Sequence, residues 1–192
     1  MGKLILVLGG ARSGKSSYAE SLARQLGGEQ VLFIATAQAY DDEMRERIKN
    51  HQASRAPGWH TLEEPLTVGA ALQTHWAGEP VLLLDCATLW VSNLLLSLGE
   101  TPDSQAAGVK VRGEVELLLA WVESREVTLI VVSNEVGMGL VPPYPLGRLY
   151  RDELGRANQM LAARAERVML MVAGIPVDIK ALARFDSLSR LT

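Results

Sequence analysis

Eight consecutive residues, Gly9-Gly10-Ala11-Arg12-Ser13-Gly14-Lys15-Ser16, have the spacing G-x-x-x-x-G-K-S. That spacing has a chemistry. Glycines let the backbone curl until successive N–H groups point into one concavity, a nest for phosphate oxygens. A lysine at the end of the loop reaches the β- and γ-phosphates, and the following hydroxyl suits Mg²⁺. Those roles fall on Lys15 and Ser16, with Ser17 next in line. A second group lies downstream: Val81-Leu82-Leu83-Leu84-Asp85 is an apolar run closed by an acid. Behind a phosphate loop, such a carboxylate faces Mg²⁺ directly or through water. Taken alone, such an acid is a weak signal, and Asp85 could instead cap the helix after it.

The loop needs a strand before it and a helix behind it. Lys3-Leu4-Ile5-Leu6-Val7-Leu8 supplies the strand, and Ser17 to Leu26 the helix, with Tyr18, Leu22 and Leu26 four apart. The pattern then repeats. Gln30 to Thr36 is a second buried strand, placing Ala35, Thr36 and Ala37 at the carboxyl end that faces the ligand crevice of open α/β sheets. Asp41 to His51 reads as a helix with acidic residues first. Trp59 to Glu63 reads as a short strand and Leu66 to Trp76 as a helix. Leu89 to Leu98 is helical, Gly99 to Gly108 a polar surface loop, and Val109 to Glu123 helical again.

Val127 to Ser133 is a fourth strand, ending at Asn134-Glu135. The stretch Val136 to Pro145 is apolar yet full of chain breakers; it reads as a functional loop or as a packed one without a ligand. Leu146 to Glu166 is the longest helix. Leu146, Leu149, Tyr150, Leu154, Ala157 and Leu161 form its apolar side; Arg148, Arg151, Asp152, Arg156 and Asn158 read as its solvated side. Arg167 to Val172 is a fifth strand, and Val177-Asp178-Ile179 closes a terminal hairpin. Strand and helix alternate throughout. The expectation is one α/β domain over residues 1–192, three layers deep, with a mostly parallel central sheet and an antiparallel C-terminal edge.

Composition narrows the class. The chain has 192 residues, 48% of them hydrophobic and 21% charged, which is enough apolar material for a sizeable core. A net charge of −3 with dispersed basic residues gives no electrostatic case for nucleic acid. One cysteine, Cys86, excludes an intramolecular disulfide and a cysteine-based zinc site; behind an apolar strand it reads as a buried, inert thiol. Met1-Gly2-Lys3 leads directly into a strand, leaving no room for a signal peptide, and no apolar stretch reaches the ~18 residues of a membrane span. The expected location is cytoplasmic, without membrane insertion. The Asn-Lys-x-Asp element of regulatory GTPases is absent, and no paired arginines suggest a nucleoside-monophosphate kinase lid.

Several blocks together resemble the bifunctional adenosylcobinamide kinase/adenosylcobinamide-phosphate guanylyltransferase family of cobalamin biosynthesis. They are Gly9 to Ser16; Ile34-Ala35-Thr36-Ala37; Asp41-Asp42-Glu43-Met44 through Arg47-Ile48 to His51; Asn134-Glu135-Val136-Gly137-Met138-Gly139 with Val141-Pro142; and Arg151-Asp152 with Gly155-Arg156 and Asn158-Gln159. The resemblance implies a P-loop NTPase of RecA-like fold that works in two steps. The first is a kinase step on adenosylcobinamide using ATP or GTP. The second is a guanylyltransferase step through a guanylylated histidine, which His51 matches by its place in its block; nothing in the surrounding residues singles it out otherwise. The resemblance also implies GTP contacts at Gln52, Ala53, Ser54, Arg55 and Glu63, a nucleotide or Mg²⁺ contact at Asp85, a corrinoid substrate, and a homotrimer.

Overall fold

In the computed structural model, which describes residues 1–38 and 58–183, seven strands form one sheet. In chain order the elements are β1 (Lys3–Gly9), α1 (Lys15–Gly27), β2 (Val31–Ala35), β3 (His60–Glu63), α2 (Val68–His75) and β4 (Val81–Asp85). They continue with α3 (Ala87–Leu96), α4 (Ser104–Glu123), β5 (Thr128–Val132), α5 (Pro145–Arg164), β6 (Arg167–Val172) and β7 (Ile175–Asp178). The spatial order is β3-β2-β4-β5-β1-β6-β7. Every neighbouring pair is parallel except β6–β7, which is antiparallel. The expected three-layer α/β architecture with an antiparallel C-terminal edge is the one observed.

Central parallel strands are covered on both faces, which is why β1, β2 and β4 are continuous apolar runs rather than alternating ones. Side chains alternate across the sheet. Leu4, Leu6, Leu32, Ile34, Leu82, Leu84, Leu129 and Val131 face a core shared with α2 to α5. Ile5, Val7, Phe33, Leu83, Ile130 and Val132 face a smaller core beneath α1. Helix α1 meets this face with Ala19 and Ala23, both fully buried, while Leu26 is exposed. Small residues thus bring the phosphate-loop helix close to the sheet; Tyr18 and Leu22, of the expected apolar spacing, pack against the same core, and only Leu26 does not. Among the described residues no helix is long and apolar enough to cross a membrane.

Two expectations need correction. The stretch Gly99 to Gly108 is not all loop, because α4 begins at Ser104. Asp103 caps it, its carboxylate accepting from the Ala106 N–H at 2.9 Å. Gly108 lies inside the helix, where a Cβ would meet the Glu153 carboxylate of α5 at 3.5 Å. Asn158, expected on the solvated side of the long helix, is only 5% exposed, and Glu153 only 1%. Each is satisfied by a partner: Glu153 by Arg156, Asn158 by the end of β5. A buried polar residue with a hydrogen-bond partner inside the fold escapes a rule based on hydrophobicity alone.

Candidate functional site

The site is built at the carboxyl ends of the central strands. Register fixes its geometry. Glu63, Ala35 and Asp85 lie side by side across β3, β2 and β4, and the row continues through Val132 of β5 to Val7 of β1. The alternation of side chains turns Ala35 toward the α1 face, as it does Leu83 and Val81. Asp85, two residues after Leu83, and Glu63, one after the opposite-facing Leu62, project to that same face. The phosphate loop opens two residues beyond Val7. With strands ~4.8 Å apart, the Asp85 position stands about 10 Å from β1, and Glu63 about 19 Å.

The loop has the backbone conformation its spacing demands. Gly14 sits at φ 92 and Arg12 at φ 56, both in the left-handed region. Gly14 is the N-cap of α1, and its carbonyl accepts from the Tyr18 N–H at 3.0 Å. Lys15 is only 8% exposed, and its ammonium donates to the Gly10 carbonyl at 2.5 Å, folding the side chain over the loop. Burial pulls the Lys15 pKa below its ordinary value; the negative charges of Cys86 and Asp85, when ionised, pull it partly back. Ser16 is half-buried and Ser17 exposed on the first turn. The hydroxyl of Ser13 is buried without a hydrogen-bond partner.

The end of β2 is tied to the end of β4. The Thr36 hydroxyl donates to the Cys86 carbonyl at 2.8 Å and accepts the Cys86 N–H at 2.9 Å. Asn93 of α3 donates to the carbonyls of Thr36 at 2.7 Å and Pro65 at 3.2 Å. Thr36 therefore aligns Ala35, Ala37 and Asp85 as a unit. The residue capping α3 is Cys86, which leaves Asp85 at the strand end and out of the capping role. Burial, followed by the nearby Asp85, pushes the Cys86 thiol up to about 11, which keeps it protonated and inert as expected.

Sequence reasoning missed two supports of the phosphate loop. The first is the tip of the β6–β7 hairpin. Ala173 and Gly174 both have positive φ, the mark of a tight hairpin turn, and the Gly174 N–H donates to the Ser13 carbonyl at 3.0 Å. A Cβ on Gly14 would come within 3.3 Å of the Gly174 Cα. The signal was the Gly174 turn itself, whose distant target no local pattern reveals. The second is the corner Ser133-Asn134-Glu135, where β5 leaves the sheet between β1 and β4. The Glu135 N–H donates to the Gly9 carbonyl at 3.2 Å, and the Glu135 carboxylate accepts from the Gly137 N–H at 2.9 Å.

The structure thus gathers Gly9 to Ser17, Ala35, Thr36, Ala37 and Asp85 at one end of the sheet, with Glu63 in the same row on the edge strand. His51, Gln52, Ala53, Ser54 and Arg55 lie outside the described residues. His60 and His75 are engaged locally: His60 Nδ1 pairs with Glu79 at 2.6 Å, and His75 Nδ1 lies 3.0 Å from the Ala71 carbonyl.

The site suits Mg²⁺ of the kind that binds with a nucleotide. Among the described residues no group of three or more His, Cys, Asp or Glu could hold a metal unaided. Magnesium asks for less, since one or two protein oxygens plus phosphate oxygens suffice. Ser16 and Asp85 are the oxygens on offer.

Comparison with known proteins finds relatives that span nearly the whole chain. Residues 5–179 match the family described as cobinamide kinase / cobinamide phosphate guanyltransferase. The bifunctional adenosylcobalamin biosynthesis protein CobP of Pseudomonas aeruginosa is 47% identical over 175 residues, covering 91% of this chain and 96% of that protein. The protein of the same description from Escherichia coli, CobU, is 43% identical over 182 residues, covering 92% and 99%. Among solved structures, the flagellar accessory protein FlaH from Methanocaldococcus jannaschii aligns with a TM-score of 0.49 at 12% identity, covering 91% of this chain and 74% of that one. The family's two named activities are those expected from the sequence blocks. The chain belongs to the cobinamide kinase / cobinamide phosphate guanyltransferase family.

Proposed function

We propose that this chain phosphorylates the hydroxyl of adenosylcobinamide with ATP or GTP and then transfers GMP from GTP to that phosphate, releasing pyrophosphate. The observation that carries the reading is the shared face. A phosphate loop with a buried lysine and a carboxylate two strands away converge at one end of one sheet, in a chain whose family carries both activities.

In the kinase step the loop amides and Lys15 hold the β- and γ-phosphates; the substrate hydroxyl oxygen attacks the γ-phosphorus in line and gives up its proton, while the bond to the β,γ-bridging oxygen breaks and the nucleoside diphosphate leaves. Ser16 and Asp85 would hold Mg²⁺, which when bound would supply positive charge to the phosphate oxygens. The buried Lys15 is effective because few waters compete with the phosphate for it.

In the second step His51 is the nucleophile. Its neutral imidazole nitrogen attacks the α-phosphorus of GTP, the bond to the bridging oxygen breaks, and pyrophosphate leaves with the electron pair. The corrinoid phosphate then displaces the histidine and takes the GMP. Arg55, with Gln52, Ala53 and Ser54, contributes to the GTP site, a guanidinium being able to grip phosphate bidentately. Glu63, at the far end of the row, we assign to the nucleoside end. A carboxylate there accepts from the adjacent N1–H and N2–H of guanine, a donor pair that adenine does not present.

The corrinoid is assigned to the loop before α5. Met138, Leu140, Val141 and Tyr144 are exposed there, and a cavity of ≈ 190 Å³ lined by Leu95, Tyr144 and Tyr150 lies beside it. We further infer one domain over residues 1–192 and a homotrimer.

The test is direct. Purified protein is incubated with adenosylcobinamide, Mg²⁺ and either ATP or GTP, and the corrinoid products are separated and weighed by mass spectrometry. Phosphorylation with either nucleotide, followed by GMP addition with GTP alone, is the expected result. A corrinoid unchanged under all conditions defeats the proposal.

A further inference from the structure

Asn158 sits in the middle of α5 among Leu154, Ala157 and Leu161, all buried. An apolar residue would pack there without the cost of burying an amide. The amide is instead engaged at both ends. Its Oδ1 accepts the Ser133 hydroxyl at 2.7 Å, and its Nδ2 donates to the Asn134 carbonyl at 3.0 Å. The second bond settles the orientation of the amide, because a carbonyl can only accept.

The held corner is where the two halves of the phosphate site meet. On one side, the Asn134 N–H donates to the Thr88 hydroxyl at 2.9 Å, and Thr88 follows Asp85 by three residues. On the other, the Glu135 N–H donates to the carbonyl of Gly9, the first residue of the phosphate loop. The corner thus links the strand end bearing Asp85 to the loop bearing Lys15, and α5 grips it through one side chain.

We infer that Asn158 is a positioning residue for phosphoryl transfer, holding the Ser133-Asn134-Glu135 corner in register between the phosphate loop and Asp85. The inference rests on the kinase reading above. Asn158 itself stands behind the corner, so its loss should lower turnover more than nucleotide binding.

Asn158→Asp gives a readout that a purely structural role would not move. An ionised carboxylate still accepts from Ser133 but turns a second acceptor toward the Asn134 carbonyl. Burial raises the pKa of such a group. When protonated, the acid again donates to that carbonyl, as the amide does. The kinase kcat of N158D at about pH 8 should fall at least about 10-fold, roughly 1.4 kcal/mol of transition-state stabilisation, with the nucleotide KM within about 3-fold. As the pH is lowered toward about 5.5, the ratio of N158D to wild-type kcat should climb back toward one. Thr88→Val, which removes the other support of Asn134, should show the loss at every pH and serves if Asn158 variants fold poorly. Leu161→Val, buried on the same helix but away from the corner, should keep kcat within about 3-fold.

An N158D enzyme with full kcat at pH 8, or one whose deficit ignores pH, overturns the inference, as does an unaffected T88V. If L161V loses as much turnover as the corner variants, the effect is general destabilisation and the inference is wrong. A wild-type enzyme that phosphorylates no corrinoid defeats the functional reading first, and the inference falls with it.

Discussion

Gly9 and Gly10 are adjacent glycines in one loop, and the structure separates them sharply. At Gly9, φ is 154, and an added Cβ would stand 2.6 Å from the Ser13 hydroxyl and 2.7 Å from the Met171 carbonyl. The hydroxyl can rotate away. The carbonyl cannot, because it belongs to β6, whose Met171 is paired with Gly9. Relieving that clash means moving the strand or the loop, at about 1–3 kcal/mol. The positive φ adds about 1–3 kcal/mol for a residue with a side chain. Gly9→Ala should therefore cost about 4 kcal/mol, a large share of the ~5–15 kcal/mol that holds a typical domain together. At Gly10 nothing lies within 4 Å of the added carbon and φ is not positive, so Gly10→Ala should cost less than about 0.5 kcal/mol. Urea unfolding followed by tryptophan fluorescence measures both, with Trp90 and Trp121 buried as reporters. Binding of a fluorescent GTP analogue should be lost in G9A and kept in G10A. Equal cost at the two positions, or a G9A protein as stable as wild type, would refute the reasoning.

Other expectations follow from the same geometry. Asp85→Asn should lower both activities at least about 10-fold at limiting Mg²⁺, with partial recovery at high Mg²⁺, measured by titrating the metal at fixed nucleotide. Glu63→Gln should raise the KM for GTP several-fold and leave that for ATP nearly unchanged, at a cost of about 1 kcal/mol for the lost acceptor; steady-state kinetics with each nucleotide decide this. Burial favours the neutral form of the Glu79 carboxyl, but the His60 hydrogen bond and the backbone N–H groups of Glu79 and Ala77 outweigh it, leaving the pKa below the ordinary 4.5. That stabilisation is complete above the unfolded pKa and fades as the pH falls through the folded one. Glu79→Gln should thus cost about 1 kcal/mol near neutral pH, and the gap from wild type should close below about pH 4.5, as followed by urea unfolding across pH.

Much of the scaffold was legible because buried parallel strands have to be continuous apolar runs. Leu4 to Leu8, Val31 to Ala35, Val81 to Asp85 and Thr128 to Val132 are strands for that reason. The phosphate loop was legible because Gly9 and Gly14 are demanded by local backbone geometry and Lys15 by the charge of a phosphate. What stayed hidden depended on partners distant in sequence. Asn158 looks like part of a charged helix side until Ser133 and Asn134 are packed against it. Thr36 offers no sign that its hydroxyl binds the backbone of Cys86 fifty residues away. Gly108 looks like the end of a loop because a glycine carries no helical signal, yet it is buried inside α4. The support of the phosphate loop by Gly174 is a tertiary contact between the two ends of the fold.

The claim of two chemistries in one chain rests most heavily on His51, and one measurement addresses it. The protein is incubated with Mg²⁺ and GTP labelled at either the α- or the γ-phosphate, denatured, and assayed for covalent label. The account predicts label from the α-position only, acid-labile, absent in His51→Ala, discharged by corrinoid phosphate, and forming less readily as the pH falls below a histidine's ordinary pKa of about 6.5. No label under any condition, or label that survives in His51→Ala, would contradict it.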